Sequence, residues 1–216
     1  MMQSEIEQAA ALLRANELVA LPTETVYGLG GNALSDEVVA KIFALKGRPS
    51  FNPLIVHVHS VEQAKRYAHM DARAVLLAQT FWPGPLTLVL PRKIEGGLSL
   101  LATAGLDTVA LRMPAHPLAQ AVLQATNLPI EAPSANRSGR VSPTCAAHVR
   151  AEFGTYAPFI VEGGACTVGL ESTVISLNDA QPVLLRPGAI TLAQLENVLE
   201  GKVAVAQEGS AIASPG

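Results

Sequence analysis

The stretch LVALPTETVYGLGGNALSDEVVAKIFALKG, residues 18–47, joins an apolar run to an amphipathic segment through a glycine-rich linker. The run LVALP is typical of a buried strand, and the apolar residues of DEVVAKIFALK recur at helical spacing. Ser35 stands at the N-cap of this helix, and Gly47 stands where a C-terminal cap belongs. The sequence therefore predicts a strand, a loop and a helix in succession, with residues 22–33 as either a ligand loop or an ordinary turn.

Strand and helix patterns follow one another along the rest of the chain. A capping box at Ser4 and Glu7 predicts a first helix to about Asn16. Further helices are predicted at SVEQAKRYA, DARAVLLAQTF, PLAQAVLQAT, CAAHVRAEF and LAQLENVLEG, and strands at NPLIVHV, LTLVLP, TVALRMP, LPIEAP, PFIVEG, STVISL and PVLLRPG. Because helices do not separate every pair of strands, we expect an α/β fold whose sheet mixes parallel and antiparallel pairs.

Composition limits the classes of function. The 216 residues, 49% of them hydrophobic, can bury the core of one large domain or two small ones. A formal net charge of -3 argues against nucleic-acid binding over the whole surface, so any RNA contact must be local or shared with a partner. Cys145 and Cys166 fit neither a metal-type pair nor a disulfide framework, and no apolar run has the length needed to span a bilayer. We therefore expect a cytoplasmic protein with reduced cysteines and no membrane insertion.

Common catalytic and cofactor motifs are missing or incomplete. GLGGNA matches a variant of the dinucleotide-binding fingerprint, but the ribose-binding carboxylate expected about twenty residues later is absent. There is no P-loop, nucleophile elbow, HExxH motif or obvious catalytic triad. An enzyme built this way would work by positioning and electrostatics, which suits adenylyl transfer because the substrate brings its own nucleophile.

The segment KGRPSFNP predicts an anion site. Lys46, Arg48 and Asn52 stand with two prolines in a stretch too constrained to be a solvated run of charges. Alternatively, Lys46 complements the dipole of the helix that it ends, although that explains neither Arg48 nor Asn52.

Three polar residues are embedded in strand patterns. Arg112 and Arg186 lie in VALRMP and VLLRPG, where an unpaired charge would be costly, so each needs a ligand anion or a structural salt bridge. His57 alternates with apolar residues and should share a sheet face with other polar groups, in a ligand site or in a structural role.

The segment EAPSANRSGRVSPT predicts a polar loop after a strand. Ser134, Asn136, Ser138 and Ser142 stand there among glycine and prolines. Loops of this position and chemistry bind polar ligands, and the alternative is a turn in which these side chains cap local backbone groups.

Six separated segments together resemble one known family. PTETVYGLG, KGRPSFNPLIVHV, WPGPLTLVL, TVALRMP, APSANRSG and LESTVI resemble, in order, motifs of the YrdC family of threonylcarbamoyl-AMP synthases. The resemblance implies a YrdC-like fold with a twisted sheet, flanking helices and a central ligand cavity. It also implies a reaction in which L-threonine, bicarbonate and ATP give L-threonylcarbamoyl-AMP and pyrophosphate.

The resemblance assigns roles to individual residues. It implies a catalytic group at Lys46, Arg48, Ser134 and Asn136. It implies ATP-binding positions at Arg48, Asn52, Thr108, Ser134, Ser142 and Arg186. It implies threonine-binding positions at Thr25, His57, Arg112, Ala132 and Ser172.

The same resemblance implies cofactors, partners and domain organisation. Mg2+ is expected with the ATP, and tRNA is expected as an indirect partner through a downstream threonylcarbamoyl transferase. Residues 1–206 are expected to form the catalytic domain, and residues 207–216 a flexible tail or the start of a linker to a further C-terminal domain. Two alternatives remain: a domain that forms carbamoyl-AMP, and a double-stranded RNA-binding module without turnover.

Overall fold

The computed structural model of the protein describes residues 2–47 and 52–206. Its strands are β1 (Val19–Leu21), β2 (Gly28–Asn32), β3 (Ile55–His57), β4 (Leu86–Pro91), β5 (Thr108–Arg112), β6 (Ile130–Glu131), β7 (Phe159–Ile160), β8 (Thr173–Ser176), β9 (Val183–Arg186) and β10 (Ala204–Val205). Its α-helices are α1 (Met2–Arg14), α2 (Asp36–Lys46), α3 (Val61–Tyr67), α4 (Ala72–Phe81), α5 (Pro117–Thr126), α6 (Ala146–Phe153) and α7 (Leu192–Leu199). The helices and most of the strands fall where the sequence predicts them.

The strands form one mixed sheet in the order β10-β9-β8-β4-β5-β3-β6-β2-β1-β7. Strand β5 pairs parallel with β3 and antiparallel with β4, and β6 pairs antiparallel with both β2 and β3. This arrangement confirms the predicted α/β fold with parallel and antiparallel pairs. Polar residues far apart in sequence, such as His57 and Arg112, become direct neighbours across the β3–β5 pair.

The two faces of the sheet differ in chemistry. Val56 of β3 and Leu111 of β5 belong to a large apolar core, which also includes buried residues of α3, α4 and α7. Their chain neighbours Ile55, His57 and Arg112 line a cavity on the opposite face. Because side chains alternate along a strand, the same short strands serve both the core and the cavity.

The glycine-rich segment corrects one prediction. Residues 28–32 form strand β2 beside β1, so the expected loop ends after Tyr27. A β-carbon added at Gly31 would lie 2.5 Å from Cγ1 of Val38 in α2. The glycine therefore lets the helix pack close to the sheet, and only the first half of residues 22–33 is free to form a cavity wall.

Helix α2 ends at the cavity. Its predicted caps are confirmed, because the Ser35 hydroxyl accepts a hydrogen bond from Val38 N and Gly47 adopts a left-handed φ of 58°. The last residue of the helix, Lys46, lines the cavity. Arg48 and residues 207–216, for which a site and a tail are predicted, lie outside the described residues. None of the described helices is long and apolar enough to cross a membrane.

Candidate functional site

A cavity of about 640 Å³ collects most of the sequence-predicted residues. Its walls come from the first part of the loop after β1, from strands β3 and β5, and from the loop that follows β6. The predicted site residues that line it are Thr25, Lys46, Asn52, His57, Arg112, Ala132, Ser134, Asn136, Ser142 and Arg186. The fold thus unites five parts of the chain, around residues 25, 46–57, 112, 132–142 and 186.

The remaining predicted residues have different positions. Thr108 begins β5 on the same face as Arg112 but is not among the lining residues that the structure describes. Ser172 lies behind the wall, fully buried, where its hydroxyl accepts a hydrogen bond from Arg186 Nη2 at 3.1 Å and contacts Thr87 Oγ1 at 2.7 Å. Ser172 is therefore one step from the described lining residues, in contact with Arg186, which is one of them.

Arg112 forms a buried ion pair with Glu24. Its Nη2 lies 2.6 Å from Oε1 of Glu24, and its Nε donates to the Gly84 carbonyl at 3.3 Å. The other oxygen of Glu24 accepts the backbone N–H of Ala115 at 2.9 Å. Only 3% of the Arg112 surface is exposed, so the pair keeps both charges compensated in a region with little water. The salt-bridge alternative is thus present, and the sequence analysis missed Glu24 as the partner.

His57 lies beside this ion pair and is uncharged at neutral pH. Burial, reinforced by the positive charge of Arg112, lowers the pKa of the His57 imidazole to about 3. Its Nδ1 is buried and has no hydrogen-bond partner among the described residues. The ring itself lines the cavity, where it is a neutral hydrogen-bonding group.

Lys46 holds the loop that follows β6. Its Nζ donates to the backbone carbonyls of Ser134 at 2.5 Å and Asn136 at 2.6 Å. The Asn136 amide donates in turn to the carbonyls of Arg137 and Arg140, while its buried Oδ1 has no partner within the described part of the chain. The lysine therefore does more than complement a helix dipole, because it fixes the loop that carries Ser134 and Asn136.

Arg186 lies on another part of the wall with a carboxylate that the sequence analysis missed. Its Nη2 is 3.8 Å from Oε2 of Glu171, whose Oε1 accepts the hydroxyl of Ser142 at 2.7 Å. Burial lowers the pKa of the Arg186 guanidinium, and the Glu171 charge acts in the opposite direction. The only earlier signal for Glu171 is its place in the LESTVI segment.

Among the described residues that line the cavity, Glu171 is the carboxylate; Glu24 does not line it but pairs with the lining residue Arg112. Within residues 2–47 and 52–206, no three His, Cys, Asp or Glu side chains are grouped so that they could hold a metal ion together. Both carboxylates lie beside arginines, so the cavity carries compensated charges of both signs.

Comparisons with known proteins agree with this arrangement. A family model named Sua5/YciO/YrdC and described as "Telomere recombination" matches residues 11–188. The threonylcarbamoyl-AMP synthases of Bacillus subtilis and Pyrococcus abyssi are 54% and 50% identical to the chain over 90% of its length. The chain spans 56% and 57% of these two relatives, little more than half of their length. The crystal structure of P. abyssi Sua5 complexed with L-threonine matches with a TM-score of 0.93 and 46% identity, covering 98% of this chain and 63% of that one.

Proposed function

The chain belongs to the Sua5/YciO/YrdC family, and we propose that it catalyses formation of L-threonylcarbamoyl-AMP, pyrophosphate and water from L-threonine, bicarbonate and ATP. In this reaction the threonine amine and bicarbonate form a carbamate with loss of water. A carbamate oxygen then attacks the α-phosphorus of ATP, and pyrophosphate leaves. The names of the two bacterial and archaeal relatives support this proposal.

The single observation that carries the proposal is the neutral His57 imidazole in the cavity wall beside the Arg112–Glu24 pair. An arginine and a carboxylate side by side complement an amino acid, which carries a carboxylate and an ammonium group. The neutral imidazole can hydrogen-bond an uncharged hydroxyl. Thr25, whose hydroxyl lies 2.9 Å from that of Thr23, would add a second hydroxyl contact, and the backbone at Ala132 lies on the same wall. These groups suit threonine.

The nucleotide would occupy the remaining wall. Asn52, Ser134, Ser142 and Arg186 supply hydrogen-bond donors there. By resemblance, Arg48 and Thr108 would join them. Lys46, Arg48, Ser134 and Asn136 would form the catalytic group, with Lys46 keeping the loop donors in place for charge that develops on the phosphates.

Mg2+ is proposed to accompany the triphosphate. The hydroxyl of Ser142 and the carboxylate of Glu171 are hard oxygen donors of the kind that Mg2+ takes together with substrate phosphates. When bound, the ion would neutralise part of the phosphate charge.

The proposal extends to the protein's setting. It places the protein in the cytoplasm, where a downstream transferase would carry the threonylcarbamoyl group to tRNA. It takes residues 1–206 as the catalytic unit and residues 207–216 as a tail or linker.

A pyrophosphate-release assay with single omissions tests the proposal. Release should require L-threonine, bicarbonate, ATP and Mg2+ together, and the product should contain all three substrate parts by mass. Release that continues without threonine would favour carbamoyl-AMP formation instead. No release under any condition, together with RNA affinity that falls steeply with salt, would favour a binding module.

A further inference from the structure

Glu171 is a carboxylate placed among groups that should bind phosphates. Its two oxygens face the Ser142 hydroxyl and the Arg186 guanidinium, both of which the proposed function assigns to ATP. A negative side chain at this point would repel a triphosphate. A site for ATP alone would gain from losing this carboxylate.

The repulsion becomes an attraction when a divalent cation lies between the carboxylate and the phosphates. Proteins usually bind Mg2+ through one or two carboxylates together with substrate phosphates, while the ion keeps several waters. Glu171 supplies one such carboxylate at the part of the wall assigned to the nucleotide. We propose that Glu171 is the protein's ligand, directly or through a water, for the divalent cation that accompanies the nucleotide. This inference rests on the proposed function.

Glu24, the carboxylate that pairs with the lining residue Arg112, is unsuited to this role. The Glu24 side chain is 11% exposed, is held at 2.6 Å by Arg112, and has its second oxygen on a backbone N–H. The Glu171 side chain is 36% exposed, and its contact with Arg186 is a looser 3.8 Å. Glu171 can therefore turn towards a cation without leaving a buried arginine unpaired, whereas Glu24 cannot.

The test is the affinity of ATP for the full chain, measured by calorimetry with saturating Mg2+ and again with EDTA. The parent should bind MgATP more tightly than free ATP. In Glu171→Gln this advantage of Mg2+ should shrink on the order of tenfold, a usual size for coupling between two ligands. Free ATP should bind Glu171→Gln at least as tightly as the parent, because a repulsive charge is gone.

Glu162→Gln is the matched control. Glu162 also pairs with an arginine, Arg150, and its side chain is 48% exposed, but it is not among the described lining residues of the cavity. The control should keep the parent's full Mg2+ advantage. Mn2+ in place of Mg2+ should show the same pattern.

Each other outcome overturns the inference in a recognisable way. Equal weakening of ATP and MgATP in Glu171→Gln would mean that Glu171 only holds Ser142 and Arg186 in place. Equally tighter binding of ATP and MgATP in Glu171→Gln would mean that Glu171 only competes with phosphate. A parent that binds neither form of ATP would remove the proposed function itself, and the inference with it.

Discussion

Two buried carboxylates lie on opposite faces of the same sheet and differ in every contact. Glu24, on the cavity face, has Arg112 on one oxygen and a backbone N–H on the other. Glu131, in strand β6, is fully buried on the other face, opposite Gly31 and Val56, and neither of its oxygens has a partner among the described residues. Burial raises the pKa of the Glu131 carboxyl to about 9, so this group carries a proton at neutral pH.

The difference shows what a buried charge needs in this fold. On the cavity face, an arginine and a carboxylate compensate each other's charge, and this pair can recognise a charged ligand. On the core face, an acid without a partner is kept neutral and can recognise none. The pairing, rather than the burial, separates the charged Arg112 and Glu24 from the neutral Glu131.

The largest expected effect on stability comes from breaking the ion pair between Arg112 and Glu24. Glu24→Gln leaves the Arg112 guanidinium buried without a compensating charge, and we expect the free energy of unfolding to fall by about 3–5 kcal/mol. Urea denaturation at neutral pH measures this loss. A variant as stable as the parent would show that water or a rearranged side chain replaces Glu24.

A smaller effect on turnover is expected at Lys46. Lys46→Ala removes the donor that fixes the carbonyls of Ser134 and Asn136, and we expect a loss of about 3 kcal/mol in transition-state stabilisation. The measurement is kcat/KM for pyrophosphate release beside the melting temperature. Activity that returns fully on cooling would assign Lys46 a purely structural role. Arg48→Ala, made alongside, is expected to lower turnover more than stability.

The smallest effect is expected at Glu131, where the substitution should raise the free energy of unfolding rather than lower it. Because the folded-state pKa of Glu131 is raised, the contribution of this residue to stability is complete below its unfolded pKa and is lost as pH rises towards about 9. Glu131→Gln removes the titration. The free energy of unfolding of Glu131→Gln, measured relative to that of the parent, should therefore increase by about 1 kcal/mol per pH unit between about pH 5.5 and 7.5. Parallel pH profiles for the two proteins would contradict this account of Glu131.

The sequence predicts local structure better than it predicts partners. Helix caps such as Ser35 and Gly47 act through contacts a few residues apart, so they are readable from the chain. Strand β2 is not readable from the chain, because its glycines lack the β-branched or alternating pattern of a strand. Its glycines instead allow α2 to pack close to the sheet. A strand pattern also says little about where a strand pairs in the sheet.

The candidate site shows the same limit. Polar residues in strands and loops marked most of the cavity wall, and family motifs added the rest. The sequence left two alternatives open for Arg112, since its partner Glu24 stands 88 residues earlier in the chain. The contact of Glu171 with Ser142 and the isolation of Glu131 likewise depend on packing between distant segments.

Calorimetric titration with L-threonine tests the central claim, that the paired side of the sheet forms the amino-acid site. Arg112→Ala should weaken threonine binding by about 2–5 kcal/mol, the usual cost of removing one member of a desolvated charge pair, while ATP binding alone changes little. On the parent, 2-aminobutyrate should bind less well than serine, and serine less well than threonine, because a pocket that hydrogen-bonds a hydroxyl rejects an analogue without one. Threonine affinity unchanged in Arg112→Ala, in a variant that still binds ATP, would remove Arg112 from the site and contradict the account.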